Sequence, residues 1–471
     1  YLVSASTFNI YNASAGSGKT FTLVKDYLKI VLTSKEFLPH RHVLAITFTN
    51  KAVDEMKTRI VEALMTFAAP SILSQSDPLF EQVVSELGSS PKEIHLKSKQ
   101  LLSKILHNYA AFDISTIDKF TQKLIRTFAF DLKLPMNFEV ELDTDLLLQK
   151  AVSRLLSKAG KNKALTKVLV EFAIEKADDD KSWNIALDLA KTAKLLTRET
   201  DAPFLEELSQ RSLQDFGTLK SALTKDISET ELQVVELSTQ ILDVITASDI
   251  EFSDFTRGSL PKHFQALVAK KFDITFASQW QQSIETTSLY PKKAASHTAA
   301  AIDSLRSQLA EAFHQTKKAV YRIRYLKNIR KNTTPLSVLN LINQELKTIK
   351  EEENLLMISE FNTIISQQIK DQPAPFIYER IGEKFNHFFI DEFQDTSELQ
   401  WENLVPLLTN TLAEENGSAM LVGDAKQAIY RWRGGKAEQF INLHNNATAF
   451  PFDPTLSHLP TNYRSCRQVV D

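Results

Sequence analysis

The chain has 471 residues, 43% of them hydrophobic and 24% charged, a globular composition that excludes disorder and, at about 150 residues per domain, leaves room for roughly three domains. With 55 Lys and Arg against 58 Asp and Glu, the net charge of −3 excludes a general electrostatic pull on nucleic acid or anionic membrane, so such binding must rest on local patches. The single cysteine, Cys466, excludes a disulfide scaffold, a zinc finger and iron–sulfur ligation; with no apolar run near the roughly 18 residues a bilayer demands and no signal-peptide start, the sequence predicts a reduced, cytoplasmic protein without a membrane partner.

Thr7–Tyr11 reads as a strand with Phe8 and Ile10 on one face. It runs into Ala13-Ser14-Ala15-Gly16-Ser17-Gly18-Lys19-Thr20, and an amphipathic helix carrying Val24, Tyr27, Leu28 and Val31 follows. Strand, glycine loop, Lys-Thr and helix make the P-loop context. Gly16 and Gly18 let consecutive N–H groups converge on phosphate oxygens, and the helix N-terminus adds positive dipole. Lys19 reaches the β- and γ-phosphates, and the Thr20 hydroxyl ligates Mg²⁺. Ala13 stands where the pattern usually has its first glycine. The alternative is an ordinary strand-to-helix turn, although a chance match in this length is expected only roughly 10⁻³ times. Next in the chain, His42–Phe48 is an apolar run of the kind that forms a buried parallel strand.

Only Gly160, Gly217 and Gly258 of the eleven glycines lie between 136 and 381. Glycine punctuates turns and is costly inside helices, so this stretch predicts long helices. Leu146, Leu147, Ala151, Leu155 and Leu156 recur at helical steps, as do Leu232, Val235, Leu237, Leu242 and Ile245 less regularly. Thr286–Ala300, with Pro291 and several small residues, reads as a loop. Between Gln315 and Lys331 lie Lys317, Lys318, Arg322, Arg324, Lys327, Arg330 and Lys331 with no acid, and Tyr321 and Tyr325 interleaved. Clustered basic residues suit phosphate contacts; a solvated helix face balanced by Glu351–Glu353 is the other reading.

Short apolar runs return at Phe388–Ile390 and Ala419–Val422. The first leads into Asp391-Glu392-Phe393-Gln394-Asp395, two carboxylates at the C-terminal edge of a strand. Beside a P-loop, Asp391 holds Mg²⁺ and Glu392 orients and deprotonates the water that attacks the γ-phosphate. The competing reading is an acidic loop before a helix at Ser397, for which Asp395, Thr396 and Ser397 are good N-caps. The predicted fold class is α/β, a parallel sheet flanked by helices and interrupted by a large all-helical insertion.

At this point the sequence resembles superfamily 1A helicases of the UvrD/Rep type, with four further stretches in the family's order. Ala45-Ile46-Thr47-Phe48-Thr49-Asn50-Lys51-Ala52 is similar to motif Ia, and Ile114-Ser115-Thr116-Ile117-Asp118-Lys119-Phe120 to the TxHxF motif. Gly423-Asp424-Ala425-Lys426-Gln427-Ala428-Ile429-Tyr430-Arg431-Trp432-Arg433-Gly434 is similar to motif III, and Asn462-Tyr463-Arg464-Ser465 to motif IV. The start of the P-loop and the long insertion resemble most the RecB/AddA branch of helicase–nuclease subunits. The resemblance implies a RecA-like motor domain 1A over 1–135 and 382–455, a helical domain 1B over 136–381, and the start of a second motor domain 2A over 456–471. ATP and Mg²⁺ are the implied cofactors, held by residues 13–20, Asp391 and Tyr463, which stacks on adenine. Gln427 senses the γ-phosphate and Arg464 places positive charge on it. Phe48, Thr49 and Asn50 together with Tyr430 and Trp432 are implied to contact single-stranded DNA, the rings by stacking. For each ring the competing assignment is core packing. Arg431 and Arg433 contact phosphate or pair near Asp395.

The sequence departs from the pattern at Asp118, where the family usually has His, and has no glutamine in residues 1–20 to read adenine. Motifs V and VI do not follow motif IV before Asp471. The reading is therefore the N-terminal part of an ATP-dependent single-stranded-DNA translocase or helicase of repair and recombination. Polarity 3′→5′ is implied by the resemblance, and this part by itself is not expected to unwind DNA. Implied partners are single-stranded or duplex-end DNA and a subunit of AddB/RecC type. The alternative is a DNA-binding structural subunit of a repair complex with a degenerate nucleotide site.

Overall fold

The computed structural model describes residues 8–75, 77–178, 184–370, 381, 384–445, 453–459, 461–466 and 468. Thr7 and Asp471 lie outside these. The chain divides into two compact units, one made of residues 1–147, 195–202 and 348–471, the other of 148–194 and 203–347.

Eight strands are described: β1 (Phe8–Ala13), β2 (Val43–Thr47), β3 (Ile114–Thr116), β4 (Glu139–Glu141), β5 (Leu355–Met357), β6 (His387–Ile390), β7 (Ser418–Gly423) and β8 (Thr455–Leu459). The first unit holds a six-stranded sheet in the order β3-β2-β6-β7-β1-β8, every pairing parallel. Its central strands read as continuous apolar runs because both faces are covered. Phe8, Ile10, Leu44, Ile46, Phe388, Ile390 and Leu421 enter one core, which helix Glu398–Ala413 closes with Trp401, Leu404, Leu407 and Leu408. The alternate residues Ala13, Val43, Ala45, Phe389, Met420 and Val422 enter a second core, closed by Leu23, Tyr27, Leu28 and Val31 of helix Lys19–Thr33. Burying side chains of this size contributes about 1.5–3 kcal/mol each. A register slip of one residue would exchange the two sets, so the pairing is strongly specified.

The parallel arrangement places the C-terminal ends of β1, β2, β6 and β7 along one edge, where open α/β sheets hold ligands. β4 and β5 pair as a separate two-stranded parallel ribbon, with Glu139 N–H donating to Asn354 C=O at 2.9 Å. The four strands expected from apolar runs are present, each shifted by a residue or two at its ends. Residues 456–459, assigned by resemblance to a second motor domain, belong in the structure to β8 beside β1.

The second unit is built on helices Leu213–Ala247, of 35 residues, and Ser296–Ser337, of 42 residues, the long elements that glycine scarcity predicts. Their shared core contains Ile227, Val234, Ile241, Ile245, Leu309, Phe313, Val320 and Ile323. The longer helix begins at Ser296, inside the stretch expected to be a loop, because Ala299, Ala300 and Ala301 are strong helix formers.

Candidate nucleotide and nucleic-acid site

The loop after β1 turns through Gly16 at φ 79° and Gly18 at φ 86°, left-handed conformations that a side chain would strain. Ser17 is buried and donates both its N–H (3.1 Å) and its hydroxyl (2.7 Å) to Ser14 C=O. Helix Lys19–Thr33 starts at once, with no acidic residue in its first turn to occupy the positive end of its dipole. Lys19 and Thr20 thus stand at a helix N-terminus bounded by Ala13, Ser14 and Ala15, the geometry that suits an anion.

β6 delivers the acidic pair to the same edge. Asp391 N–H donates to Ile46 C=O at 2.8 Å, extending the β2–β6 ladder, and Asp391 Oδ1 accepts the N–H of Glu392 at 3.0 Å. Glu392 adopts φ 51° and sends Oε2 to within 3.3 Å of Lys19 Nζ, a contact between residues 373 apart. Burial, and then the Glu392 charge, push the Asp391 carboxyl up to about 7, against the pull of Lys19. Two neighbouring carboxylates served by one ammonium form a donor set that a divalent cation would relieve. With the Thr20 hydroxyl, Asp391 offers the few oxygen ligands that suit Mg²⁺ shared with phosphate.

After β7, Asp424 accepts the N–H of Lys426 on Oδ1 (3.0 Å) and Gln427 Nε2 on Oδ2 (2.6 Å). Asp395 Oδ1 accepts the N–H groups of Ile429 (3.2 Å) and Tyr430 (3.3 Å). The segment therefore ties back to the acidic loop rather than resting in solvent. Gln394, to which sequence reasoning gave no role, joins both: Oε1 accepts Asp424 N–H at 2.9 Å and Nε2 donates to Glu392 Oε2 at 2.7 Å. Its one sequence signal is an amide set between carboxylates directly after a buried strand.

The aromatic candidates lie together. Phe48 and Tyr430 have ring centroids 4.3 Å apart, and Tyr430 and Trp432 6.2 Å. Phe48 and Tyr430 are half-buried, whereas Trp432 is 75% exposed, so core packing does not account for it. The Arg433 guanidinium sits 5.5 Å from the Phe48 ring centre and 5.9 Å from that of Trp432. It also stands 3.7 Å from Asp118 Oδ2, whose other oxygen accepts Gln400 Nε2 at 3.3 Å. Arg431 pairs with Glu438 at 2.6 Å. Neither arginine pairs with Asp395 among the described contacts. Thr49 caps helix Asn50–Ala68 by accepting Ala52 N–H at 3.2 Å, and Asn50 is exposed.

Motif IV lies over the glycine loop. Tyr463 N–H donates to Gly16 C=O at 2.8 Å, and Asn462 Nδ2 to Ala15 C=O at 3.1 Å. A Cβ on Gly16 would lie 2.7 Å from Arg464 Cβ, so glycine is needed there for space as well as for φ. The Tyr463 ring is 78% exposed, 3.9 Å from where a Gly18 Cβ would stand. A cavity of 370 Å³ opens beside the loop, lined by Ser14, Ser17, Asp424, His458 and Asn462 among others.

Residues 4–448 match the UvrD/REP helicase N-terminal domain. The chain belongs to that family.

Among UvrD/REP-type relatives, the chain is 24% identical over 499 residues to an ATP-dependent helicase/nuclease subunit of Listeria monocytogenes serotype 4b (strain F2365), covering 98% of this chain and 37% of that protein. It is 26% identical over 496 residues to the same-named subunit of Lactobacillus gasseri, covering 98% and 38%. To the RecBCD enzyme subunit RecB of Chlamydia muridarum it is 24% identical over 481 residues, covering 97% and 41%. The chain thus spans about two-fifths of the length of these relatives. The likeness bears out the family read from the motifs and its helicase–nuclease branch.

The basic stretch of helix Ser296–Ser337 is largely occupied within its own unit. Arg322 pairs with Asp226 at 2.8 Å, Lys327 with Glu231 at 2.7 Å, and Arg324 donates to the carbonyls of Phe272 and Ile274. Lys317 lies 5.5 Å from the Phe276 ring centre. Tyr321 and Tyr325 remain exposed. Among the described residues, no helix is long and apolar enough to cross a membrane.

Proposed function

We propose that the protein is an ATP-driven translocase or helicase on single-stranded DNA, of repair or recombination, moving 3′→5′. The observation that carries this reading is the 3.3 Å contact of Lys19 with Glu392, at the sheet edge that also carries the Phe48–Tyr430–Trp432 row. Residues 13–20 cradle the triphosphate through backbone N–H groups, with Lys19 on its outer phosphates and Tyr463 stacked on adenine. Thr20 and Asp391 hold Mg²⁺, which when bound supplies charge neutralisation between the phosphates. Glu392 orients the attacking water and takes its proton; Gln427 and Arg464 respond to the γ-phosphate. Because Asp424 holds Gln427, Gln394 bonds both Asp424 and Asp395, and Asp395 accepts the Tyr430 N–H, a change at the phosphate reaches the stacking row through bonded neighbours. Thr49 and Asn50 line the DNA path beside Phe48. In domain terms, residues 1–135 and 382–455 act as motor domain 1A, 136–381 as domain 1B, and 456–471 lead into domain 2A. DNA ends and a partner subunit of AddB/RecC type complete the assembly.

The test is DNA-stimulated ATP hydrolysis and strand displacement by the native full-length protein. Hydrolysis that vanishes in Lys19→Ala supports the reading. DNA binding without any hydrolysis in the wild type overturns it in favour of a structural subunit.

A further inference from the structure

Gln394 is 1% exposed, and both ends of its amide are engaged. Oε1 accepts Asp424 N–H at 2.9 Å, and because a backbone N–H can only donate, that bond fixes which end is oxygen. Nε2 donates to Glu392 Oε2 at 2.7 Å. Space for the amide comes from Gly423, where a Cβ would stand 2.8 Å from Gln394 Oε1. Glu392 sits in a left-handed turn with several rotatable bonds between backbone and carboxylate, so its aim must be set from outside. Lys19 reaches the same Oε2 at 3.3 Å, but on the motor reading Lys19 is drawn to phosphate. Gln394 stays, because its far end is anchored to the β7 strand end.

We infer that Gln394 is a positioning residue: its amide N–H holds one oxygen of Glu392, turning the other toward the attacking water. Its carbonyl ties that aim to Asp424, which in turn holds Gln427 at 2.6 Å. The orientation of the base and the state of the γ-phosphate contact are thereby set by one buried amide. This inference rests on the motor reading and deepens it.

The decisive variant is Gln394→Glu in the native full-length protein. It keeps an oxygen for Asp424 N–H but removes the donor to Glu392. DNA-stimulated kcat should fall on the order of 10²-fold. KM for ATP and the affinity for a fluorescent ATP analogue should stay near wild type, so that the loss falls on kcat, while the melting midpoint drops because the new carboxyl is buried beside Glu392 and Asp395. Gln394→Met fills the same volume with neither polar end and should show the same kcat loss at unaltered nucleotide affinity. Full kcat in either variant overturns the inference, as does a parallel loss of kcat and nucleotide affinity. Lys19→Ala and Glu392→Gln separate the two levels. If both are inactive while Gln394→Glu turns over normally, positioning fails and the motor reading stands. If Lys19→Ala changes neither nucleotide affinity nor hydrolysis, both fall.

Discussion

The Phe48 and Tyr430 rings meet at 4.3 Å although one follows β2 and the other follows β7. This pairing makes a shelf from two segments far apart in sequence, with Trp432 exposed at its end. Stacking on such a shelf is worth about 1–3 kcal/mol per base. Trp432→Ala should therefore weaken single-stranded DNA binding by roughly 5- to 150-fold. The loss should be equal for adenine and thymine homopolymers in a fluorescence anisotropy titration. Unchanged affinity would remove Trp432 from the DNA path.

Asp118 stands 3.7 Å from Arg433; if this edge holds DNA as proposed, that carboxylate competes with phosphate for the guanidinium. Asp118→Asn keeps the shape and the bond to Gln400 while removing the charge. Affinity for single-stranded DNA at low salt should rise, and the dependence on salt should steepen by about 0.7 for one additional phosphate contact. A fall in affinity would mean that Asp118 holds Arg433 in its binding position instead.

Much of this edge was legible in the sequence because its chemistry is local. Strands buried on both faces appear as unbroken apolar runs, as at Phe388–Ile390, and a glycine loop between strand and Lys-Thr has few other uses. What was hidden depends on distant partners. β3 has only three residues, and β8, at the sheet edge, has no fully buried residue and forms no apolar run. Charge counting along Gln315–Lys331 could not register Asp226 and Glu231, which lie on the facing helix and occupy Arg322 and Lys327. Leu232 looked like part of the apolar stripe of its helix but is 56% exposed; Val234 turns inward instead. The bridging role of Gln394 required Asp424, thirty residues on.

His263 is buried among Phe264, Phe276, Trp280 and Phe313, and its Nε2 has no hydrogen-bond partner. Burial lowers its pKa to about 4. The unfolded chain takes up a proton near pH 6.5, whereas the folded unit refuses it until about 4, so stability falls as pH drops through that window. The full effect is roughly 3 kcal/mol. The second unit should melt earlier at pH 5 than at pH 7.5, and His263→Phe should remove most of its own share of that difference. An identical pH dependence in the variant would show that other groups cause it.

Gly423 ends β7 under the Gln394 amide, with the Phe440 ring also within 3.3 Å of the position a Cβ would take. Gly423→Ala should displace Gln394 or strain the strand end, costing about 1–3 kcal/mol. Chemical denaturation should show the loss as a lower midpoint at constant slope. A midpoint equal to wild type would mean that the strand end yields without cost.

An ATP-driven motor requires the Lys19 turn and the Asp391–Glu392 step to serve one magnesium–triphosphate. The direct test is a titration of a fluorescent ATP analogue, with and without Mg²⁺, into wild type, Lys19→Ala and Asp391→Asn. Wild type should bind more tightly with Mg²⁺, Lys19→Ala should bind weakly in both conditions, and Asp391→Asn should lose the Mg²⁺ advantage. If Asp391→Asn keeps that advantage in full, the two segments do not share a ligand and the account is contradicted.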